Sequence, residues 1–197
     1  SVSSILKEDC DYQLNLQNID KLNLFDEYNL KENEASEVGT LYHKIMENLE
    51  LNESLNEIIE KVHEVLSNYE CDEKIKDLID INKIYKAVLK IQLLKNEITN
   101  LKKEMQFVMK LPYNKVVESS DIEEKVIVQG VMDLVLVGKD EAIVVDYKTN
   151  RSSSKEYYAN LYKTQLNLYK LALSRLYPKK QIKGYVYSFT CNELIEM

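Results

Sequence analysis

The apolar positions along the chain change their period at about residue 102. Before that point they recur every three to four residues. Val38, Leu41, Ile45 and Leu49 form one such stripe, and the spacing predicts a helix from Ser36, with Ser36 or Thr40 placed to cap its start. Leu55, Ile58, Ile59, Val62, Val65 and Leu66 form a second stripe, and Ile84, Val88, Ile91, Leu94 and Ile98 a third. Residues 52–100 therefore read as two or three amphipathic helices, in a block without Gly or Pro. From Lys102 the pattern alternates: Met105, Phe107, Met109 and Leu111 are interleaved with Glu104, Gln106, Val108 and Lys110, as in a strand. Residues 125–137, rich in Val and Ile, predict a second strand. Gly138-Lys139-Asp140-Glu141 reads as a turn, and residues 142–149 as a third strand. Residues 156–176 predict a long helix that ends before Pro178. Residues 182–189 and 193–197 predict two closing strands around Cys191-Asn192.

The order is helices, three strands, a helix, two strands. That predicts an α/β or α+β core carrying an all-helical insertion at about 52–100. Residues 1–35 are polar and weakly periodic and read as an extended lead-in segment or linker, so the domain is placed at 36–197. A length of 197 residues suits one domain with a sizeable core. The chain starts at Ser1 rather than Met, which reads as a piece of a longer polypeptide.

Composition narrows the class. No run of eighteen apolar residues and no signal-peptide pattern occurs. The three cysteines, Cys10, Cys71 and Cys191, are widely spaced and odd in number, so neither a disulfide framework nor a CxxC metal site is expected, and a cytoplasmic setting is. The net charge of −7 argues against nucleic-acid binding until its distribution is considered. Between residues 139 and 185 ten Lys or Arg face four acids, whereas residues 1–138 are strongly acidic. A basic C-terminal third suits a phosphate-contacting face, although a solvated helix surface has the same signature.

The chemistry concentrates in the hairpin. With a turn symmetric about Lys139-Asp140, paired positions sum to 279, so Val137 faces Ala142 and Asp133 faces Asp146. Directly opposed side chains have Cβ atoms roughly 4.5–5.5 Å apart, and like charges there repel. Two opposed carboxylates inside apolar strands require a shared proton or a cation, and a divalent metal is the natural occupant. Lys148 projects from the same face as Asp146, and Tyr147 from the other. An Asp-x-Lys triplet alone is a common surface pair; beside a second carboxylate it matches phosphodiester hydrolysis, where a metal activates water and an ammonium stabilises developing charge. On the following helix Tyr158, Tyr162, Gln165, Tyr169, Ala172 and Leu176 share one face, which places a glutamine in an aromatic stripe. His43 lies off the apolar face of its helix with Glu47 one turn later, and His63 has nothing beside it. By their residues alone both read as structural or solvent-facing.

Gly39-Thr40-Leu41-Tyr42-His43, Glu104 in a Lys-Glu-Met-Gln-Phe strand, Gly130-Val131-Met132-Asp133, Asp146-Tyr147-Lys148-Thr149 and Tyr162-x-x-Gln165-x-x-x-Tyr169 follow one another in order. This set, with the closing Gly184-Tyr185-Val186-Tyr187-Ser188-Phe189, resembles the RecB-type branch of the PD-(D/E)XK nuclease superfamily over residues 36–197. Within that branch it is most similar to the C-terminal nuclease domains of AddA-type helicase–nucleases. The resemblance implies a restriction-endonuclease-like core, a mixed central sheet flanked by helices. It implies that His43, Asp133, Asp146 and the main-chain carbonyl of Tyr147 bind Mg²⁺ or Mn²⁺. It makes Lys148 the catalytic lysine, Gln165 and Tyr169 residues that support the site and contact DNA, and Glu104 a supporting glutamate. It further implies DNA exonuclease activity in double-strand break repair, beside the helicase region of a parent chain and an AddB-type partner subunit. No GxxxxGK[ST] loop occurs, so no helicase or ATPase activity is expected of this stretch. The scattered cysteines leave no four-cysteine set for the iron–sulfur cluster found in some relatives. Two other readings compete: a catalytically silent nuclease-like module that binds DNA or docks, and a purely helical interaction protein.

Overall fold

The computed structural model describes residues 2–7, 32–94, 98–112, 125–150 and 154–197. Strand β1 (Val2–Lys7) precedes helices α1 (Glu32–Asn48), α2 (Leu55–Asn68), the single turn α3 (Glu73–Lys76) and α4 (Ile81–Gln92). Strands β2 (Ile98–Pro112), β3 (Lys125–Gly138) and β4 (Glu141–Lys148) follow, then helix α5 (Lys155–Leu176) and strands β5 (Gln181–Ser188) and β6 (Glu193–Glu196). Cys10 lies outside the described residues.

The helix boundaries follow their caps. Ser54 and Glu57 form a reciprocal capping box at α2, Asp80 accepts from Asn82 N and Lys83 N at α4, and Ser154 accepts from Tyr157 N at α5. Neither Ser36 nor Thr40 caps α1, which starts four residues before Ser36. Thr40 Oγ1 instead donates to Ser36 O within the helix, at 3.0 Å.

Among the described residues six strands form one mixed sheet, in which only β4 and β5 are parallel. Strand β3 is its centre. One edge of β3 carries β2 along most of its length. The other edge is divided: β1 pairs with residues 126–130, and β4 with residues 134–137. The β3–β4 pairs run from Leu134↔Val145 to Val137↔Ala142, the expected register. Val2–Lys7 thus adds a sheet strand that the polar opening of the chain did not announce.

Both faces of the sheet are covered. On one side α5 packs Leu166, Tyr169 and Leu173 against Val135, Val144 and Val186. On the other, α1, α2 and α4 bring Ile45, Ile58, Val62, Ile84 and Ile91 into a cluster with Leu134, Leu136, Ile143, Val145 and Tyr187. The helical block is therefore one layer of the domain. Each such fully buried aliphatic side chain contributes about 1.5–3 kcal/mol. Two-sided cover also explains why Ala142–Tyr147 is an unbroken buried run rather than an alternation. On α5 the buried stripe runs through Leu166, Leu168, Tyr169, Ala172 and Leu173, whereas Leu176, expected on it, is half exposed in the last turn.

Strands β2 and β3 change sides together. Phe107, Met109 and Leu111 belong to the α5 cluster, but Leu101 packs with the helical layer, although all four share parity and a regular strand would send them to one face. On β3 Val128 and Met132 lie with α5, and Leu134 and Leu136 with the helical layer. The switch falls between the opposed pairs Met105↔Met132 and Lys103↔Leu134. Glu104 stands at that point with φ of 47°.

Candidate active site

Asp133 lies where the second edge of β3 passes from β1 to β4. Beyond Leu134↔Val145 the 279 register would oppose Asp133 to Asp146, and there the ladder gives way to a side chain: Asp133 Oδ2 accepts from Tyr147 N at 2.7 Å. The carboxylate replaces the strand acceptor that the amide lacks, so both groups are satisfied in a buried place.

Helix α1 brings His43 onto the same point. His43 Nδ1 is 3.3 Å from Asp133 Oδ1, and Nε2 is 3.0 Å from Tyr147 O. Gly39, one turn earlier, permits this approach: a Cβ there would meet Thr149 Oγ1 at 3.2 Å. Both partners of the imidazole are acceptors, so both contacts are hydrogen bonds only when the ring carries two protons. Burial works against that cation, but the Asp133 hydrogen bond and charge outweigh it and hold the His43 pKa above its ordinary value. For Asp133 burial again opposes charge, and His43, Lys148 and the Tyr147 N–H overcome it, holding the carboxyl below its ordinary value.

Glu104 completes a group of three. One ligand atom from each of His43, Glu104 and Asp133 lies within 4.8 Å of the others. Flanked by Lys103↔Leu134 and Met105↔Met132, Glu104 stands across β2–β3 from Asp133. Its left-handed backbone costs about 1–2 kcal/mol in an L-residue other than Gly, and strain of this kind persists where the surroundings demand it. Desolvation first, and the charge of Asp133 second, raise the Glu104 pKa.

Asp146 is 1% exposed and shares the strand parity of Val144, which packs in the α5 cluster. Lys148 Nζ lies 2.7 Å from its Oδ2, while Oδ1 is buried without a hydrogen-bond partner. Burial, reinforced by Asp133, raises the Asp146 pKa, and Lys148 offsets part of the rise. Lys148 is sandwiched between this carboxylate and the Tyr162 ring, whose centroid is 4.6 Å from Nζ. Tyr162 OH donates to Asn150 Oδ1. Tyr158 OH and Thr190 Oγ1 both donate to Asn150 O, at 2.8 and 2.5 Å, and Ser188 Oγ donates to Tyr158 OH at 2.7 Å. Asn150 and Thr190 were not singled out by the sequence, and Ser188 stood there only as a letter of the closing-strand motif; the adjacency of Asn150 to the Asp-x-Lys strand alone hints at its place.

The structure thus brings His43, Asp133, Glu104 and the Tyr147 carbonyl together, with Asp146 and Lys148 beside them. Gln165 Nε2 donates to Tyr169 OH at 2.9 Å. Tyr169 is fully buried edge-on to Phe107, and Asp146, Asp133 and Glu104 raise its pKa after burial does. His63 is exposed on α2.

Two carboxylates and one imidazole, from Glu104, Asp133 and His43, gather within 4.8 Å, and the buried Asp146 with its unmatched oxygen lies near them, a set that suits a divalent cation preferring oxygen ligands. The profile of the PD-(D/E)XK nuclease superfamily matches residues 2–195. The chain belongs to the PD-(D/E)XK nuclease superfamily. The mixed sheet with helices on both faces is its restriction-endonuclease-like fold. Nucleases of this superfamily use divalent metals, and the cluster of His43, Glu104 and Asp133 is a possible site for one. Among curated proteins, the chain is 27% identical over 167 residues to an ATP-dependent helicase/nuclease subunit of Ligilactobacillus salivarius, 81% of this chain and 13% of that protein. It is 28% identical over 169 residues to the same-named protein of Ruminiclostridium cellulolyticum, 82% and 13%. With that of Clostridium botulinum it shares 30% over 171 residues, again 82% and 13%. The chain thus spans 13% of the length of these relatives. Among the described residues no helix is long and apolar enough to cross a membrane.

Proposed function

We propose that the chain is a metal-dependent DNA nuclease domain, acting as an exonuclease within a longer helicase–nuclease polypeptide of the AddA type and trimming strands during repair of double-strand breaks. The single observation that carries the chemical reading is the junction at Asp133, where His43, Glu104 and Asp133 converge beside the buried pair of Asp146 and Lys148. A divalent ion held there, Mg²⁺ or Mn²⁺, supplies charge neutralisation of a phosphodiester and acidification of the attacking water.

In this reading His43, Asp133, Asp146 and the Tyr147 carbonyl are the ligands, with Glu104 as a further carboxylate on the solvent side. Asp133 performs two tasks, fixing Tyr147 N through one oxygen and facing His43 with the other. Lys148 releases Asp146 and offers its ammonium to the charge that develops on the phosphate. Tyr162 keeps Lys148 in place through its ring. Gln165 and Tyr169 back the site from α5; the part-exposed Gln165 contacts the DNA, whereas Tyr169, fully buried, acts only by supporting Gln165. The basic stretch 139–185 tracks the phosphate backbone. The helicase names of the relatives support a parent with a helicase region and an AddB-type partner subunit in the cytoplasm, and the motor itself lies outside this stretch.

The test is a nuclease assay on single-stranded and blunt duplex DNA with Mg²⁺ or Mn²⁺, against an EDTA control. Cleavage is expected only with metal, and is expected to vanish in Asp146→Ala. Metal-independent cleavage, or full activity of Asp146→Ala, refutes the reading.

A further inference from the structure

Helix α1 carries no basic residue in its last turn, yet its C-terminal carbonyls do not lack a cation. Lys103, from β2, donates to Glu47 O at 2.9 Å and Leu49 O at 2.5 Å, and its Nζ lies 3.4 Å from Glu50 Oε1. The side chain is largely buried under the end of the helix. A lysine donating to terminal carbonyls is favoured by the unpaired acceptors and the helix dipole alike. Here the cap comes from a residue 54 positions away in sequence from Leu49, and it joins two elements rather than closing one.

Those two elements supply His43 and Glu104. His43 lies one helical turn before Glu47, and a helix transmits the position of one turn rigidly to the next. Glu104 follows Lys103 directly. Its neighbours are anchored on opposite faces of the sheet, Lys103 beneath α1 and Met105 against the α5 cluster. The left-handed φ of Glu104 is how the chain passes between these two anchors. We propose that Lys103 is a positioning residue for the metal site: its ammonium ties the end of α1 to β2 and so fixes the spacing of His43 and Glu104. This rests on the reading of those residues as ligands. Without the tie, α1 is free to shift along the sheet, and residue 104 relaxes toward extended backbone, which carries its carboxylate away from His43.

The test uses the 197-residue chain with Lys103→Met, Lys103→Gln, Lys103→Arg and the core control Val62→Ala, which loosens the α1 layer without touching the Lys103 cap. Mn²⁺ affinity is measured by calorimetry, and the His43 imidazole resonances by ¹H–¹⁵N spectra of metal-free protein, both well below the melting temperature. Residues that orient ligands change metal affinity by about 10–100-fold when removed. A loss in that range is expected for Lys103→Met, a smaller one for Lys103→Gln, and near-native affinity for Lys103→Arg, which keeps two donors. The imidazole resonances shift in Lys103→Met and stay in place in Val62→Ala. Unchanged resonances and affinity in both Lys103→Met and Lys103→Gln overturn the proposal, as does an equal loss in Val62→Ala. If Lys103→Met does not fold, Lys103→Gln decides by the same two measurements. A wild-type chain that takes up no Mn²⁺ refutes the metal reading alone, and the metal-free imidazole comparison still decides whether Lys103 positions His43.

Discussion

Replacing Asp133 separates its structural work from its chemical work. Its Oδ2 is the acceptor for Tyr147 N, at 2.7 Å, in a place only 5% exposed, and its Oδ1 faces His43. Alanine leaves the Tyr147 N–H buried without an acceptor, which costs about 1–3 kcal/mol, and removes the counter-charge of a half-buried imidazolium, which adds about 1 kcal/mol. The sum is about 2–4 kcal/mol. For a domain of this size each kcal/mol lowers Tm by about 2–4 °C, so Asp133→Ala should melt roughly 5–15 °C below wild type. Asparagine keeps an oxygen for Tyr147 N and gives up only the charge, so Asp133→Asn should lose about 1 kcal/mol, or a few degrees. Both should be inactive in Mg²⁺. The assay is thermal unfolding by circular dichroism after dialysis against EDTA, which removes the contribution of bound metal to Tm, followed by cleavage of labelled single-stranded DNA. If Asp133→Ala melts within about 2 °C of wild type, the carboxylate is not what joins β3 to β4 beyond Leu134. If Asp133→Asn cleaves at the wild-type rate, its charge is not used in the reaction.

Three further outcomes follow from the same geometry. Lys148→Met should cut cleavage by about 10²–10³ without weakening Mn²⁺ binding in calorimetry, because Lys148 is the cation that competes for Asp146; a collapse of metal binding refutes this. At position 104, with φ of 47°, Glu104→Gly should be more stable than Glu104→Ala by about 1 kcal/mol in urea unfolding, the reverse of an ordinary strand position. The His43 pKa is raised in the folded protein, where Asp133 outweighs burial, so its stabilisation is complete below the unfolded value of about 6.5 and is lost as pH rises through the folded value. The margin of metal-free wild type over His43→Gln should therefore shrink as pH rises above about 6.5, and a margin that grows with pH refutes the assignment.

The strands and helices that bury one clear face were legible in the sequence. The β3–β4 register is fixed by a short turn between two apolar runs, so simple arithmetic on Val137 and Ala142 sufficed as far as Leu134↔Val145, one step short of the expected pair of Asp133 and Asp146. Helices α2 and α4 were legible because Ile58, Val62, Ile84, Val88 and Ile91 keep helical spacing against a single surface. Strand β1 was not: Val2–Lys7 has two serines and a polar sequel, and its partner, Val126–Gly130, lies more than a hundred residues away. The start of α1 was misjudged because Ser36 and Thr40 look like caps, while the helix extends past them on residues of good propensity. The role of Glu104 was legible only as a place in an ordered set of motifs. Nothing local marks a glutamate for left-handed backbone; that conformation is imposed by neighbours held on opposite faces.

That imposed conformation explains why the candidate site stands at this point of the sheet. A regular sheet satisfies each backbone amide with its neighbour and sends successive side chains to opposite faces. At Asp133 both rules lapse at once: the edge of β3 passes from β1 to β4, leaving Tyr147 N to a side chain, and β2 and β3 reverse their faces at Glu104. The first lapse draws a carboxylate into the sheet, and the second turns another toward it. Helix α1, its end capped by Lys103, then holds a histidine against both. The same junction carries three costs in the metal-free protein: a strained φ, an orphaned Asp146 oxygen and like charges brought close. A cation bound there offsets the last two directly and rewards the backbone that presents Glu104, so Glu104→Gly, which relieves the strain and removes the carboxylate, should raise metal-free stability and lower metal affinity in the same variant.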